Sequence, residues 1–550
     1  MSRYAISKEY FKQNFSHDLK AGFITAVVAL PLALAFAIAS GVPPVMGVYT
    51  AVIAGILGSL FGGSTFSITG PTGAMVVLIL STISRFGLEG LLIAGFLAGV
   101  FQIGFGLLKV GRVVKFLPLP LVSGFTAGIG VIIFTGQIGN ALGLTLKPKE
   151  HIWELFHEIF INLYGTSFAA LGITIGTVSL LLLLPKVLAK NKFTRNIPAS
   201  IVVLIGFTFL VIFLALDVPL VGEIPHGLPT ISMLNFSWDL VRDVLPASFT
   251  IALLGAIEAL LCAVVCDGMT GTKHNSNREL ISQGIVNMAV PFFGGMAATA
   301  AIARSGVNIR EGARTKYAGV IHGLFLLSII LFLGPLAGKI PRAFLAGILM
   351  VVAVKMINIW EFKTIMKLSW LDTAVLFVTL GLTVFIDLVV AVQAGMILAI
   401  LLLFIRLTSV IEISHMDDYP RDNKINTMIS RDNLLKDNVS VYTINGPFFF
   451  GAMSVFDHKI DEHLQTKKPY IIIRMKNVPF IDSTGVERIT SFISKREKAG
   501  CVVILSSLDK NVKKVLMRDY NFLNLMKGKN LLIFENTTLA LEYLEKKIKD

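Results

Sequence analysis

Sixty-four consecutive residues, Ala21 to Ser84, contain no Asp, Glu, Lys or Arg. At about 20 residues per helical crossing, that stretch holds about three spans of a lipid bilayer. The third is interrupted. It opens Phe61-Gly62-Gly63-Ser64-Thr65-Phe66-Ser67-Ile68-Thr69-Gly70-Pro71-Thr72-Gly73-Ala74, and only then continues as a short apolar helix to Ser81. Non-helical backbone is tolerated at membrane depth only where it is buried in protein or lines a cavity, so the break predicts a binding site. A second Phe-Gly-Gly break lies downstream, Phe293-Gly294-Gly295-Met296-Ala297-Ala298-Thr299-Ala300-Ala301-Ile302-Ala303-Arg304-Ser305. Paired broken segments in corresponding halves are the sequence pointer to a secondary transporter built from inverted repeats.

Only 15% of the 550 residues are charged, against about 25% in soluble domains. The charge is dense in the first 20 residues and again after Arg406. Four regions follow: an interfacial N-terminal segment 1–20 with Tyr4, Tyr10, Phe11 and Phe15 available to lipid, a membrane domain 21–406, a linker 407–438, and a small soluble domain 439–550. The net charge of +14 follows from basic inner loops, and no nucleic-acid partner is expected. Three cysteines exclude a disulfide framework. Cys262 and Cys266, one turn apart in an apolar span, read as small core residues, and no metal site is expected.

The apolar windows predict about 14 spans, near 21–40, 46–61, 70–84, 88–108, 116–140, 166–185, 198–216, 246–266, 280–296, 303–311, 317–335, 341–357, 371–386 and 389–405. Basic turns after spans 4, 6 and 12 (Lys109, Arg112 and Lys115; Lys186, Lys190, Lys192 and Arg195; Lys355, Lys363 and Lys367) place both termini on the cytoplasmic side. Lys339 and Arg342 are exceptions to that rule. A split into seven plus seven spans inverts the second half relative to the first. Aligning the breaks at a constant offset sets Phe61 over Phe293 and Thr72 over Arg304. Two helix N-termini then face each other near mid-membrane, and their free N–H groups and dipoles attract an anion. Pro71 suits the first turn of its helix. The outer stretch His151 to Glu158 reads as an interfacial amphipathic helix.

Two intramembrane charges stand out, Arg304 and Glu258. A charge at mid-membrane is costly unless paired or hydrated, so each is read as functional. Arg304 supplies positive charge to the anion site. Glu258 is either a structural partner of Arg304 or a cation-coupling carboxylate for H⁺ or Na⁺. No other cofactor is expected.

Beyond Arg406, Val439–Asn445, Tyr470–Lys476 and Cys501–Leu505 read as strands. Helices follow from Ser454, Thr484 and Asp509 and over Thr538–Ile548, giving a small sheet with helices packed on it.

Ala29-Leu30-Pro31-Leu32-Ala33-Leu34-Ala35-Phe36-Ala37, Gly70-Pro71-Thr72-Gly73 and Ala301-Ile302-Ala303-Arg304-Ser305-Gly306-Val307-Asn308-Ile309-Arg310 resemble the bacterial SulP (sulfate permease-like) anion transporters over essentially the whole chain. The resemblance implies a polytopic α-helical membrane protein with a 7 + 7 inverted repeat, as in nucleobase transporters, moving by an elevator-like step. It places an anion between the third and tenth helices, against Thr72, Gly73, Ala74, Arg304, Ser305 and Gly306 with Phe36, and makes Glu258 the coupling position. The tail resembles a STAS domain, whose loop corresponds to Asp482-Ser483-Thr484-Gly485. Ser483 and Thr484 are the regulatory candidates, with N-capping by Asp482 or Ser483 the structural alternative. Sulfate-transporting relatives often carry Gln and Tyr where this chain has Leu32 and Phe36, which leaves bicarbonate, a dicarboxylate, sulfate or a similar anion open. Proton coupling through an acidic residue after the first span is not available, since the chain there reads Pro44-Val45-Met46.

The expected function is secondary active transport of a small anion, by symport or exchange, in the bacterial inner membrane. A homodimer and a cytosolic partner of the STAS domain are the expected assemblies. The alternatives are a membrane-anchored STAS sensor or scaffold with vestigial transport, and an anion channel. No nucleophile–base pair or phosphate loop points to an enzyme.

Overall fold

The computed structural model describes residues 13–112, 118–146, 152–190, 198–222, 224, 231, 233–386, 388–409, 412–415, 425, 428–429, 432–453, 456–457, 468–528 and 530–549. Tyr4, Tyr10, Phe11, Lys115, His151, Lys192, Arg195 and the start expected for a helix at Ser454 lie outside them. The chain divides into two units, Met1–Ala399 and Ile400–Asp550.

Helices occupy the positions that the apolar windows set. The first half holds α1 (Phe15–Ala39), α2 (Pro44–Phe61), α3 (Gly73–Leu107), α4 (Leu119–Gly136) with its short extension α5 (Ile138–Ala141), α6 (Ile152–Ile161), α7 (Phe168–Leu188) and α8 (Ala199–Phe213). The second holds α9 (Trp238–Thr270), α10 (Ser276–Ala289), α11 (Ile302–Arg310), α12 (Tyr317–Gly338), α13 (Arg342–Met356), α14 (Ile359–Leu368), α15 (Trp370–Phe385) and α16 (Leu388–Ser409). α3 bends at Gly87, whose φ of 68° suits glycine. Counting its two arms separately, and setting aside α5, α6 and α14, the described residues contain fourteen spans. With α3 taken whole, α4 joined to α5 and α13 joined to α14, eight helices among the described residues are long and apolar enough to cross a membrane.

Four boundaries differ from the sequence reading. The first helix starts at Phe15, not 21, so Asp18 and Lys20 belong to it and not to an interfacial segment. Asp18 is fully buried because its carboxylate accepts the Arg314 and Thr315 N–H groups at 2.7 and 3.1 Å and the Thr315 hydroxyl. Span 9 is α10, ending at Ala289 instead of 296, because Pro291 and a left-handed Gly294 (φ 66°) end the helix. Pro71 is not in a first turn: the N-cap of α3 is Thr72, and Pro71 precedes it. The offset between the breaks is 229 residues at the helix starts, Gly73 and Ile302, so Thr72 corresponds to Ala301 and not to Arg304.

The second unit is a five-stranded sheet in the order β3 (Glu412–His415), β4 (Val439–Asn445), β5 (Tyr470–Asn477), β6 (Val502–Ser506), β7 (Leu531–Phe534). β3 is antiparallel to β4 and the other pairs are parallel. Alternation along the strands feeds two cores. Ile471, Ile473, Val503 and Leu505 pack with Phe448, Ile489 and Phe492, while Ile472 and Ile504 pack with Leu541 and Leu544. The region 407–438 is therefore not all linker, since β3 is an integral edge strand. Four residues, of which Ile413 is buried, are too few to show a period.

Candidate functional site

The two breaks meet in an antiparallel ribbon of two residues each, β1 (Thr69–Gly70) and β2 (Thr299–Ala300), with Thr69 opposite Ala300 and Gly70 opposite Thr299. Each chain then enters a helix, α3 or α11, and neither N-cap, Thr72 nor Ala301, closes its helix with a side-chain bond. Two uncapped N-termini with their dipoles therefore sit at one centre.

The backbone of both breaks is satisfied by protein, as non-helical chain at membrane depth must be. One face of α10 does much of this, with polar residues at i, i+4 and i+8. The Glu279 carboxylate accepts the Gly63 and Ser64 N–H groups at 2.8 and 2.9 Å. Gln283 donates to the Thr69 hydroxyl at 3.1 Å. Asn287 accepts the Ala298 N–H at 2.8 Å and donates to the Ala298 carbonyl at 3.0 Å. Thr50 accepts the Met296 N–H at 2.8 Å, and Thr299 donates to the Gly255 carbonyl at 2.8 Å. Sequence reasoning missed these holders. A polar stripe at helical spacing was the available signal.

Arg304 lies on the first turn of α11 and is 2% exposed. Its Nη2 donates to the Pro71 carbonyl at 2.5 Å, so the second break grips the first. Its Nη1 is buried and has no hydrogen-bond partner among the described residues. Gly70 leaves room for it: a Cβ there would stand 2.5 Å from that Nη1, so the guanidinium would have to shift. A buried guanidinium donor left unsatisfied costs about 1–3 kcal/mol or more, a cost an anion would remove.

Glu258, partly exposed on α9, accepts the Thr72 hydroxyl at 3.0 Å. Among the described residues no ion pair within 4 Å joins it to Arg304. The carboxylate and guanidinium thus sit on opposite partners of the first break, Thr72 and Pro71, which are adjacent in the chain.

Gly73 borders Phe36 and the far side of the site: a Cβ there would lie 3.2 Å from Ile133, 3.3 Å from Met356 and 3.4 Å from Phe36. Ala74 is buried behind it. Ser305 is not presented to this space. Its hydroxyl oxygen accepts the Ile68 N–H at 2.8 Å and the Cys262 thiol at 3.2 Å, so it clamps the first break from behind. Gly306 is buried beside Arg310, with 3.8 Å of room for a Cβ. Cys262 and Cys266 are buried and free.

In the second unit, α17 (Asn433–Asn438) precedes β4, and α18 (Ser483–Lys498) follows the expected loop. Asp482 is its N-cap, accepting the Gly485 N–H at 2.7 Å and the Phe450 N–H at 3.2 Å. Ser483 and Thr484 are exposed in its first turn.

Comparison with known proteins places this architecture. Residues 15–379 match the sulfate permease family and residues 432–538 the STAS domain. The chain is 39% identical over 520 residues to YvdB of Bacillus subtilis (strain 168), covering 92% of this chain and 94% of that protein. It is 34% identical over 465 residues to the bicarbonate transporter BicA of a Picosynechococcus species, covering 81% of each. The transmembrane domain of a cyanobacterial BicA superimposes with a TM-score of 0.63 over 72% of this chain and 98% of that one. The murine Slc26a9 anion transporter, 20% identical, shares the fold with a TM-score of 0.85 over 99% and 96% of the two chains. The chain is a multi-pass membrane protein of the sulfate permease family of anion transporters, with a C-terminal STAS domain.

Proposed function

We propose that this protein is a secondary active carrier of a small anion, with bicarbonate and sulfate as the first substrates to test, and that it is not an enzyme. The observation that carries the reading is Arg304: a buried guanidinium with an unpartnered nitrogen between two uncapped helix N-termini. A membrane anchor for a STAS sensor has no use for that arrangement. Relatives named as bicarbonate transporters and as a sulfate transporter of Arabidopsis thaliana support the substrate class.

Glu258 is the coupling group. It shares the first break with the anion site through Thr72, so loading it with H⁺ or Na⁺ changes the charge next to the anion. The step itself is elevator-like. Buried polar bonds stitch the spans carrying the breaks into one body, whereas at Gly73 that body meets α4 and α13 through Ile133 and Met356, apolar contacts able to slide. The protein resides in the bacterial inner membrane as a homodimer, with its N-terminus and STAS domain cytoplasmic. The STAS domain, through Ser483 and Thr484, recruits a cytosolic partner.

Uptake into proteoliposomes tests the reading. Bicarbonate, sulfate, fumarate and chloride are offered under imposed H⁺ or Na⁺ gradients. Accumulation of one of them against its gradient is the expected result. Uptake of none sinks the carrier reading, and downhill conduction alone makes the protein a channel.

A further inference from the structure

A cavity of about 150 Å³ lies one helical turn from the anion site. At about 10–15 Å³ per water in that measure, it has room for several waters or a small hydrated anion. Three elements each run from site to cavity in the same direction. α1 has Phe36 at the site and lines the cavity with Ile38 and Ala39, and α3 has Gly73 at the site and lines it with Val76 and Leu80. α4 has Ile133 in both, and the chain beyond it lines the cavity with Gln137 and Asn140. The cavity is thus the continuation of the site toward the end where α1 and α4 finish, with Ile133 as the floor between them.

Its polar lining is selective. Gln137 and Asn140 bring amides, joined at 3.1 Å, and the first residue of α13 brings Arg342, the only charged side chain in the lining among the described residues. Arg342 is held in place. Its N–H donates to the Pro219 carbonyl and its Nε to the Leu220 carbonyl, both at 2.9 Å. The Val221 and Gly222 N–H groups donate to the Ile340 and Gly338 carbonyls on the same strip. That Nε bond occupies one of five guanidinium donors.

We propose that this cavity is an outer vestibule, a second anion-binding site in which Arg342, with the Gln137 and Asn140 amides, collects a small oxyanion or halide before Ile133 admits it to the central site. The ligand class and the word outer rest on the carrier reading above.

The test reads the cavity without transport. Ala39→Cys, in the cavity lining but outside the proposed binding groups, is made in a Cys501→Ser background, the other two thiols being buried. The protein in sealed proteoliposomes is treated from outside with an anionic (sulfonatoethyl) or a cationic (trimethylammonioethyl) methanethiosulfonate. Rates are normalised to those with a small free thiol. A single positive charge lining a cleft should favour the anionic reagent about tenfold. Sulfate or bicarbonate should slow that reaction. Arg342→Gln should abolish the preference. Arg342→Lys, which keeps the charge and loses the Nε bond to Leu220, should retain it. Equal normalised rates, no reaction with either reagent, a preference that survives Arg342→Gln, or its loss in Arg342→Lys would each overturn the proposal. Absence of uptake for every anion would defeat the carrier reading alone, since the modification rates remain measurable.

Discussion

At the scale of single residues, the site divides by the side of the first break that each group touches. Arg304 holds the Pro71 carbonyl with one nitrogen and offers the other. Arg304→Ala should leave the protein monodisperse in detergent and lower uptake at subsaturating anion by about 10–100-fold, the equivalent of one or two charge-assisted hydrogen bonds. Gly70→Ala should do comparable damage without removing any functional atom, since its Cβ would displace Nη1 from 2.5 Å. Normal uptake by either variant in a flux assay would contradict the assignment. Glu258 takes its hydrogen bond from Thr72, and a substitution separates the coupling reading from the pairing one. Glu258→Gln keeps the hydrogen-bond acceptor and removes the titratable charge. It should abolish accumulation driven by H⁺ or Na⁺ while retaining anion exchange, measured as counterflow of labelled substrate. Wild-type accumulation with wild-type gradient dependence would reduce Glu258 to a structural role.

At the scale of elements, the spans were legible because charge is so scarce: an apolar run of a given length has few other uses. The two breaks were legible for the same reason, as polar and glycine-rich text inside hydrocarbon-length segments. What packs against them was not. Ser305 follows Arg304, and successive helical residues point about 100° apart, so only one of the two could face the anion; the sequence gives no sign of which. Asp18 binds Arg314 and Thr315 some 296 and 297 positions away, a pairing that no local pattern encodes. The stripe of Glu279, Gln283 and Asn287 was readable, but a span drawn from 280 to 296 cuts off its first member and runs past Pro291. Glu279 and Asn287 act on the site through backbone, and Gln283 through the Thr69 hydroxyl. Asn287→Ala would strand both the N–H and the carbonyl of Ala298 in a buried place, at a cost of about 1–3 kcal/mol for each group. It should lower the detergent melting temperature clearly, whereas Ser328→Ala, which removes an exposed bond within its own helix, should leave it unchanged. Equal melting temperatures for the two would show that the breaks do not depend on α10.

At the scale of the whole molecule, the edge strand β3 sets where the soluble unit can be cut. Its four residues pair with β4 from Glu412↔Asn445 to His415↔Tyr442, so a fragment beginning at Val439 exposes the β4 edge, a template for aggregation. A fragment from Glu412 to the C-terminus should be monomeric in gel filtration, and one from Val439 should self-associate; identical elution would make β3 dispensable. The ribbon of β1 and β2 has a consequence for synthesis. Gly70 pairs with Thr299, so the first break enters the bilayer about 230 residues before its partner exists. At about 5–20 residues per second, that is about 10–45 s of waiting. During that interval the non-helical stretch has neither Ala301 nor Asn308 to take its carbonyls, nor α10 to hold its N–H groups. Nascent chains stalled near residue 270 should therefore leave a cysteine placed at Ser67 open to a water-soluble thiol reagent, and chains stalled well past α12 should close it. If position 67 is protected in the shorter chain, the first half shelters its own break, and the waiting time is harmless.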